Sequence, residues 1–352
     1  MAAAKGGSFP TFDDLSGFEP LYRAHCLARR GKRNQREVIE FELDLARNLT
    51  SLSDSLHDGS YRPWPFMRFT VRDPKRRVIH TPRYRDRVVQ HALCDNVLAP
   101  VLERRLIYDN AACRVGKGTH FSLDRLEGFM RKHARTHGTR GWFLKCDVAR
   151  FFDSIRHDAL KERLARLPLD TRTIDLLHPF IDSHVVAGSV VRGDERGLPL
   201  GCQSSQWFAL YYLDGLDRLV KERLRVRAYT RYMDDMVLVH PDRAFLRDCL
   251  GEMRAFAADE LGLEFNRKTQ LAPLGQGIDY LGFHLYLASD GKVVRRLRQE
   301  AKRRICRRVK MLRGESARGA CGAEELLERL CSYRAYLDHG DTYGLQKAMG
   351  FV

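Results

Sequence analysis

The stretch that decides the fold is Arg231-Tyr232-Met233-Asp234-Asp235-Met236-Val237-Leu238-Val239. Two adjacent carboxylates stand between two apolar, β-prone runs, which predicts strands over 229–233 and 236–240 and a tight turn that carries the aspartates. Neighbouring side chains of a strand point to opposite faces, whereas a turn brings both carboxylates to one side, where their oxygens suit a hard cation. An isolated Asp-Asp turn is more often a solvated surface turn, so its meaning depends on the rest of the chain.

The charge of the chain indicates a polyanionic partner. Its 352 residues include 61 Lys+Arg and 45 Asp+Glu, a net charge of +16. Nucleic acid is the first candidate for such a partner, and an anionic membrane surface is the second. Since no run approaches the roughly 18 apolar residues of a membrane span, we expect a soluble protein with no membrane partner. The nine cysteines form no C-x-x-C pair, which argues against a zinc ribbon or a thioredoxin-like motif and is typical of reduced cytosolic proteins.

A third carboxylate stands out upstream. Asp147 follows the apolar stretch 142–146, which predicts a buried strand, and two bulky aromatics, Phe151 and Phe152, come soon after it. A carboxylate at the end of a strand can project into a cleft. Together with Asp234 and Asp235 it would supply the hard oxygen ligands for two divalent cations, roughly 3.5–4 Å apart, as nucleotidyl transfer requires.

Two basic segments accompany these carboxylates. Asp73-Pro74 favours a turn, and a hairpin tipped with Lys75, Arg76 and Arg77 would concentrate cations that suit phosphate oxygens. We predict that Lys75 and Arg77 hold a triphosphate; a solvated basic turn is the alternative.

The second basic segment lies near the end of the chain. Between Arg295 and Arg313, apolar residues at helical spacing, from Leu297 to Leu312, predict a helix whose opposite face is cationic. Such a face would grip a nucleic-acid backbone with salt-dependent affinity. The candidate contacts are Arg295, Arg296, Arg298, Lys302, Arg303 and Arg307.

Taken together, these motifs resemble those of a reverse transcriptase over about residues 20–350. Tyr232 to Asp235 match the Y-x-D-D motif, Asp147 with its two aromatics matches the first catalytic-aspartate motif, and 266–269 and 280–283 match later palm and primer-grip motifs. The resemblance implies an α+β right-hand polymerase fold. We expect a flexible lead-in over 1–20, fingers and the start of the palm over 21–140, a palm with an antiparallel sheet and interleaved helices over 141–289, and a helical, basic thumb over 290–352.

The resemblance also implies residue roles. Asp147, Asp234, Asp235 and the Val148 carbonyl would bind two Mg²⁺ ions, with Mn²⁺ as an alternative, and Lys268 would give a proton to the departing pyrophosphate. Phe152 falls at the family's steric gate against a ribose 2′-OH, and Arg83 at a position that touches the template–nucleotide pair. The primer grip would comprise Tyr280, Leu281 and Gly282. The implied partners are a template RNA, a primer strand, dNTPs and the cDNA product.

The subfamily rests on Leu200-Gly201-Cys202-Gln203-Ser204-Ser205-Gln206. Most reverse transcriptases carry Gln-Gly-x-x-x-Ser-Pro here, whereas Leu200, Gly201 and Gln206 give the L-G-x-x-x-S-Q form, which is similar to that of diversity-generating retroelements. Those bacterial or phage enzymes make cDNA with errors at adenines and work with a small helical accessory protein that forms a pentamer. Leucine has no hydrogen-bonding group, so selection of the correct nucleotide should weaken several-fold if about 1 kcal/mol is lost; alternatively, Leu200 merely packs in the pocket wall.

Several other functions stay open at this point. A group II intron maturase usually carries a further region after the thumb, and a retron enzyme would carry Val-Thr-Gly in the thumb and Asn-Ala-x-x-His after the fingers, where this chain has Asn110-Ala111-Ala112-Cys113. Abortive-infection and CRISPR-associated reverse transcriptases remain alternatives. A non-catalytic RNA-binding scaffold with a polymerase fold is an alternative from a different class, although the three aspartates argue against it.

Overall fold

The computed structural model describes residues 9–72, 76–186 and 194–352, and it confirms the α+β prediction. The first half contains α1 Asp13–Ser16, α2 Phe18–Ala28, α3 Arg36–Leu43, α4 Leu45–His57, β1 Met67–Val71, β2 Arg77–Thr81, α5 Tyr84–Leu93, a π-helix Cys94–Leu98, α6 Ala99–Arg105, α7 Thr119–His137, β3 Trp142–Cys146, α8 Phe151–Ser154, α9 His157–Leu164 and α10 Thr171–Asp182. The second half contains α11 Gln203–Tyr212, α12 Asp214–Arg218, a π-helix Leu219–Arg223, β4 Tyr229–Tyr232, β5 Asp235–His240, α13 Arg243–Leu261, β6 Gln270–Pro273, β7 Ile278–Tyr280, β8 Phe283–Leu287, β9 Val293–Leu297, α14 Gln299–Ala317, α15 Ala323–Leu337 and α16 Tyr343–Ala348.

The chain forms two compact units, each assembled from three separate segments. The first unit comprises Met1–Tyr108, Val148–Leu219 and Met253–Asn266, and the second comprises Asp109–Asp147, Val220–Glu252 and Arg267–Val352. The division into fingers, palm and thumb at residues 140 and 290 stays a prediction. Among the described residues, no helix combines the length and the hydropathy needed to cross a membrane.

The first unit is mainly helical. Helix α2 packs against both α4 and α5, and the buried apolar side chains of these helices include Leu21, Leu49 and Val88. Its β1 and β2 pair as an antiparallel hairpin that ends at the pair Val71↔Arg77, which confirms the hairpin predicted from Asp73-Pro74. Lys75 lies outside the described residues.

The second unit holds the sheet on which the aspartates lie. Its four antiparallel strands run in the order β4-β5-β3-β6. Strand β3 is internal because it pairs with β5 on one side and with β6 on the other. Its Phe143 lies in a buried cluster with Leu126 and Met130 of α7 and with Val237 of β5. Strands β7, β8 and β9 form a separate three-stranded antiparallel sheet.

The helix predicted from Arg295 begins later than expected. Arg295 and Arg296 lie in β9, which pairs with β8, and α14 starts at Gln299 with Arg298 as its N-cap. The prediction was wrong because Val293-Val294 are β-branched and His284 and Leu285 provide a strand to pair with, which outweighs the helical spacing of Leu297. From Ala301 to Leu312 the predicted apolar stripe is buried, as expected.

Candidate catalytic site

The β4–β5 hairpin places the two adjacent aspartates. Tyr232 pairs with Asp235, so Met233 and Asp234 alone form the loop. Met233 has a φ of 54°, a left-handed conformation that costs a residue with a Cβ on the order of 1–2 kcal/mol. The turn therefore needs support from its surroundings. The predicted strands and turn are confirmed to within one residue at each boundary.

Arg231 supplies that support from inside the protein. It is fully buried, and its guanidinium Nη1 donates to the Met233 carbonyl at 2.8 Å. Its backbone N–H donates to the Asp109 carbonyl at 3.0 Å, and its own carbonyl accepts from the Ala111 N–H at 3.0 Å. Burying a guanidinium is costly unless it is hydrogen-bonded, so this arrangement ties the strained turn to the core. Sequence reasoning missed Arg231, although an arginine within a β-prone run next to the aspartates was a visible signal.

Asp147 and Asp234 form a close pair of carboxylates. Asp147 follows the last residue of β3, Cys146, which pairs with Met236, so it lies at the same end of the sheet as the hairpin loop. Burial, the hydrogen bond to Asp147 and the charge of Asp147 raise the pKa of Asp234 to about 7. Two carboxylates that share a site cannot both ionise cheaply. A divalent cation between them would offset this repulsion.

Asp235 has a different partner. The Lys145 Nζ lies 3.2 Å from its carboxylate oxygen and also donates to the Asp279 carbonyl at 2.7 Å. Burial raises the pKa of Asp235, and Lys145 opposes that rise. Sequence reasoning missed Lys145 as well. The signal was its position two residues before Asp147 on β3, a spacing that puts side chains on one face of a strand.

The donor set fits magnesium. Asp147 and Asp234 converge, whereas the described residues contain no group of three or more His, Cys, Asp or Glu side chains that is already arranged around a single metal position. Mg²⁺ is commonly held by one or two carboxylates together with substrate phosphates and water, so a complete protein cage is not required. Val148, the predicted carbonyl ligand, is buried in the first unit, where its backbone forms a bridge with Phe265.

Lys268 lies at the same end of the four-stranded sheet. It is an exposed turn residue two positions before β6, whose Gln270 pairs with Lys145 of β3. That register carries Lys268 towards the strand end from which Asp147 follows. Its predicted role as a proton donor stays a prediction.

The β7–β8 hairpin carries the predicted primer-grip residues. Tyr280 pairs with Phe283, and the two loop residues, Leu281 and Gly282, have φ values of 46° and 91°, as a type I′ turn requires. A Cβ added to Gly282 would lie 2.5 Å from the Tyr336 hydroxyl of α15. Glycine is thus required here both by its φ and by a close neighbour.

Tyr280 anchors this hairpin to α7. Its side chain is buried, and its hydroxyl lies 2.7 Å from the Ser122 Oγ, which in turn lies 3.1 Å from the Thr230 Oγ1 of β4. Burial raises the pKa of Tyr280 well above its usual value. Since Thr230 is on the β4–β5 hairpin, this hydroxyl chain connects the two hairpins.

The predicted nucleotide-binding residues that are described lie in the first unit. The His80 N–H of β2 donates to the Leu200 carbonyl at 2.8 Å. Gly201 has a φ of 113°, and an added Cβ would lie 2.8 Å from both the His80 carbonyl oxygen and the Ile79 side chain. The glycine therefore lets this loop approach β2. Gln206 is exposed on α11.

Three other residues of this unit were predicted to contact the nucleotide or the template–nucleotide pair. Phe152 lies edge-on to Phe151, with ring centroids 5.7 Å apart, and its carbonyl accepts from the Leu198 N–H at 2.8 Å. Arg77 is exposed at the start of β2. Arg83 forms a 2.8 Å ion pair with Glu37, so contact with a template–nucleotide pair would require this ion pair to open.

The basic residues of the predicted thumb fall into two groups. Lys302, Arg303 and Arg307 are exposed on α14, opposite its buried stripe, and Arg296 is exposed on β9. Arg295 is instead buried, with its guanidinium 2.7 Å from Asp124 and over the Phe283 ring, and Arg298 forms a 3.2 Å ion pair with Asp279. Arg295 therefore holds the sheet against α7 and does not lie on the cationic face that was predicted.

The chain is similar to known proteins over most of its length. The model of the family "Reverse transcriptase (RNA-dependent DNA polymerase)" matches residues 72–285, more than half of the chain. Protein YkfC of Escherichia coli (strain K12) is 25% identical over 276 residues, which cover 68% of this chain and 72% of that protein.

Among solved structures, telomerase from Candida albicans in complex with the TWJ fragment of telomeric RNA has a TM-score of 0.46 at 14% identity, covering 66% of this chain and 45% of that one. Apo telomerase from Candida tropicalis, truncated from its C-terminal domain, has a TM-score of 0.46 at 14% identity, covering 69% and 58%. The chain thus spans about half the length of these telomerase chains.

Proposed function

Since the chain belongs to the reverse transcriptase family, we propose that it copies a template RNA into cDNA by two-metal nucleotidyl transfer and that the copying is error-prone at template adenines. The observation that carries the catalytic part is the Asp147–Asp234 pair. Burial and mutual repulsion raise the pKa of Asp234 to about 7, a cost that a structural role does not explain and that a divalent cation would remove.

Asp147 and Asp234 would hold the magnesium ions, with Asp235 as a third ligand once Lys145 releases it. The ions would supply activation of the primer 3′-oxygen and stabilisation of the leaving pyrophosphate. The chain's own residues position these groups. Arg231 fixes the Met233 carbonyl and thereby the loop that carries Asp234, and Lys145 holds Asp235 by a 3.2 Å ion pair. Lys268 would donate a proton to the pyrophosphate.

Substrate selection would fall to the first unit and to the basic helix. The Phe152 ring would exclude a ribose 2′-OH and so favour dNTPs, and Arg77 with Lys75 would hold the triphosphate. The exposed Lys302, Arg303 and Arg307 of α14 would bind the backbone of the template–primer duplex. Their contribution should weaken as salt rises, because each phosphate contact releases condensed counterions.

Leu200 supports the error-prone part of the proposal. Its carbonyl is fixed by the His80 N–H, so the loop position is defined, while its side chain has no group that hydrogen-bonds a base pair. We expect Leu200→Gln to lower errors opposite template adenine several-fold, the factor that about 1 kcal/mol gives. Sequencing of cDNA made on a defined RNA measures this, and the error rates at the other three template bases serve as the internal control. An unchanged error spectrum would contradict the role of Leu200.

The L-G-x-x-x-S-Q form of this loop also supports a place in a diversity-generating retroelement, with a small pentameric helical accessory protein as partner. Group II intron-like, retron and defence-associated reverse transcriptases are the alternative functions within the family. A neighbouring accessory reading frame and a near-repeat that differs at adenines would distinguish the retroelement from these alternatives.

The catalytic proposal is tested by magnesium-dependent dNTP incorporation on a primed RNA. Asp234→Asn should lower incorporation at least about a hundredfold, whereas Asp290→Asn, a matched change at the exposed β8–β9 turn, should retain it. Equal incorporation by the wild-type protein and Asp234→Asn would reject the catalytic assignment and favour a non-catalytic RNA-binding scaffold.

A further inference from the structure

A second basic site lies in the second unit, away from the aspartates. A cavity of about 400 Å³ opens beside the His240 end of β5, and its lining includes Lys132 of α7 and Arg225 and Arg227 of the segment that leads into β4. Asp235 is at the other end of β5, which places it roughly 16 Å away at about 3.3 Å per strand residue. The cavity is therefore separate from the carboxylate site.

The charged residues described in the lining of this cavity are all basic. Its described lining residues include no Asp or Glu, and within the described part of the chain Lys132, Arg225 and Arg227 form no ion pair with a carboxylate. The C-terminal end of α7 favours cations through the helix dipole, which explains Lys132. It does not explain Arg225 and Arg227, which reach the same cavity from a different segment. Three unneutralised cations on one cavity are typical of a site for an anion.

The interior of the cavity suits a planar ring. Phe129 and Phe245 line it together with Val226 and Val239, and the His240 ring lies 4.2 Å from that of Phe245. His133 and His137 complete the wall, with their rings 5.3 Å apart. The volume is within the range of small-molecule sites, which combine apolar walls with a few polar groups. Aromatic faces beside cations are the combination that binds bases and phosphates of single strands.

We propose that this cavity binds one nucleotide unit, with its phosphate on Lys132, Arg225 and Arg227 and its base against Phe129 and Phe245. The unit is either a free nucleotide or a nucleotide of an RNA strand outside the template–primer duplex. The proposal does not depend on catalysis at the carboxylates, so the two are tested separately.

The test is histidine NMR of the full chain, carried out in EDTA so that nucleotides cannot bind through a metal. The protein is labelled at histidine Cε1 and titrated with UMP or AMP up to about 10 mM, enough to bring a site with a Kd of about 1 mM near saturation, and separately with a short single-stranded RNA. We expect saturable shifts of the His133, His137 and His240 resonances. Arg225→Ala/Arg227→Ala should weaken the binding at least about tenfold, because charge-assisted hydrogen bonds to phosphate are lost.

A matched variant separates this site from general basicity. Arg135→Ala removes an exposed arginine of α7, the helix that carries Lys132, and Arg135 lies outside the cavity lining. This variant should retain the affinity of the wild-type protein. Shifts with UMP or AMP identify a free nucleotide as a sufficient ligand, and shifts with RNA alone identify the strand as the source. The proposal is overturned if none of the three histidines shifts with any probe, or if the shifts persist unchanged in Arg225→Ala/Arg227→Ala. Far-UV circular dichroism confirms that the variants are folded.

Discussion

The two hairpins of the second unit solve the same geometric problem in different ways. Both the β4–β5 and the β7–β8 hairpin have a two-residue loop whose first residue, Met233 or Leu281, has a positive φ. In β7–β8 the second loop residue is Gly282, and the turn is determined by shape, because Tyr336 leaves no room for a side chain. In β4–β5 that place is taken by Asp234, and the turn is held by the buried guanidinium of Arg231.

This difference indicates what each turn contributes. The β7–β8 loop is close to what packing and backbone conformation favour, so its residues stabilise the fold. The β4–β5 loop places a carboxylate against Asp147 and raises the pKa of Asp234 to about 7, so it costs stability in the protein without metal. Active sites commonly carry such destabilising groups, and the comparison can be tested by changing each hairpin in turn.

The largest effect is expected for Asp234→Asn. Incorporation of dNTPs should fall at least about a hundredfold, since a metal ligand is lost. In EDTA at pH 8, however, the free energy of unfolding should rise by about 1 kcal/mol, because the amide removes repulsion from Asp147. Urea denaturation measures the second effect. Asp290→Asn is the control on an exposed turn, and a loss of stability in Asp234→Asn would show that the β4–β5 loop is not strained by charge.

The second prediction concerns Gly282→Ala, which should lower the free energy of unfolding by about 2–3 kcal/mol. One part of this cost is the φ of 91°, which disfavours a Cβ by about 1–2 kcal/mol, and the other is the 2.5 Å approach to the Tyr336 hydroxyl. Primer affinity should fall with it, measured by fluorescence anisotropy of a labelled primer–template duplex.

Tyr336→Phe separates the two parts. It removes the hydroxyl, and the next Tyr336 atom is 3.8 Å from the added Cβ, an ordinary contact distance. The double variant Gly282→Ala/Tyr336→Phe should therefore recover the steric part of the stability that Gly282→Ala loses, and it should still lack the part due to φ. If Tyr336→Phe recovers nothing, shape does not determine the β7–β8 turn.

The sequence predicted the charged residues at turns and strand ends, but not the buried and half-buried charged residues that hold them in place. The Y-x-D-D turn, the strand before Asp147, the basic hairpin and the α+β class followed from local patterns, and the family match confirms the predicted polymerase. Lys145 was missed because its contact with Asp235 depends on β3 lying next to β5, which is fixed only by the sheet order β4-β5-β3-β6. Arg231 was missed because its burial depends on a segment distant in sequence, in which Asp109 and Ala111 bond to its backbone. Arg295 was misplaced for a related reason, since pairing with β8 overrides its local helical pattern.

The third prediction tests the link between the hairpins. Lys145 contacts Asp235 of one and the Asp279 carbonyl of the other. Lys145→Met should weaken primer–template binding in EDTA by roughly fivefold to tenfold, because the hairpin with the predicted primer-grip residues loses a partly buried, charge-assisted hydrogen bond to β3. The variant should also change the magnesium dependence of incorporation.

Lys145→Arg keeps the charge and should recover most of the affinity. Lys347→Met, an exposed change on α16, is the control for loss of one positive charge. If Lys145→Met and Lys347→Met weaken binding equally, Lys145 acts only through the net charge, and the hairpins are independent.

The smallest effect concerns Tyr280, the buried anchor of the β7–β8 hairpin. Because burial raises the pKa of its hydroxyl, Tyr280 keeps its proton in the folded chain above pH 10, whereas the unfolded chain loses it. Its contribution to stability is therefore complete below pH 10 and is lost as the pH rises, by about 1.4 kcal/mol per pH unit. In Tyr280→Phe the loss of stability between pH 9 and pH 11 should be smaller by about 1 kcal/mol, as urea denaturation at each pH would show.

At pH 7 the free energy of unfolding of Tyr280→Phe should be only about 1 kcal/mol below that of the wild-type protein, since Ser122 and Thr230 still pair with each other at 3.1 Å. Tyr343→Phe, an exposed change on α16, is the control; if both variants show the same alkaline limb, the pH sensitivity does not arise in this hairpin.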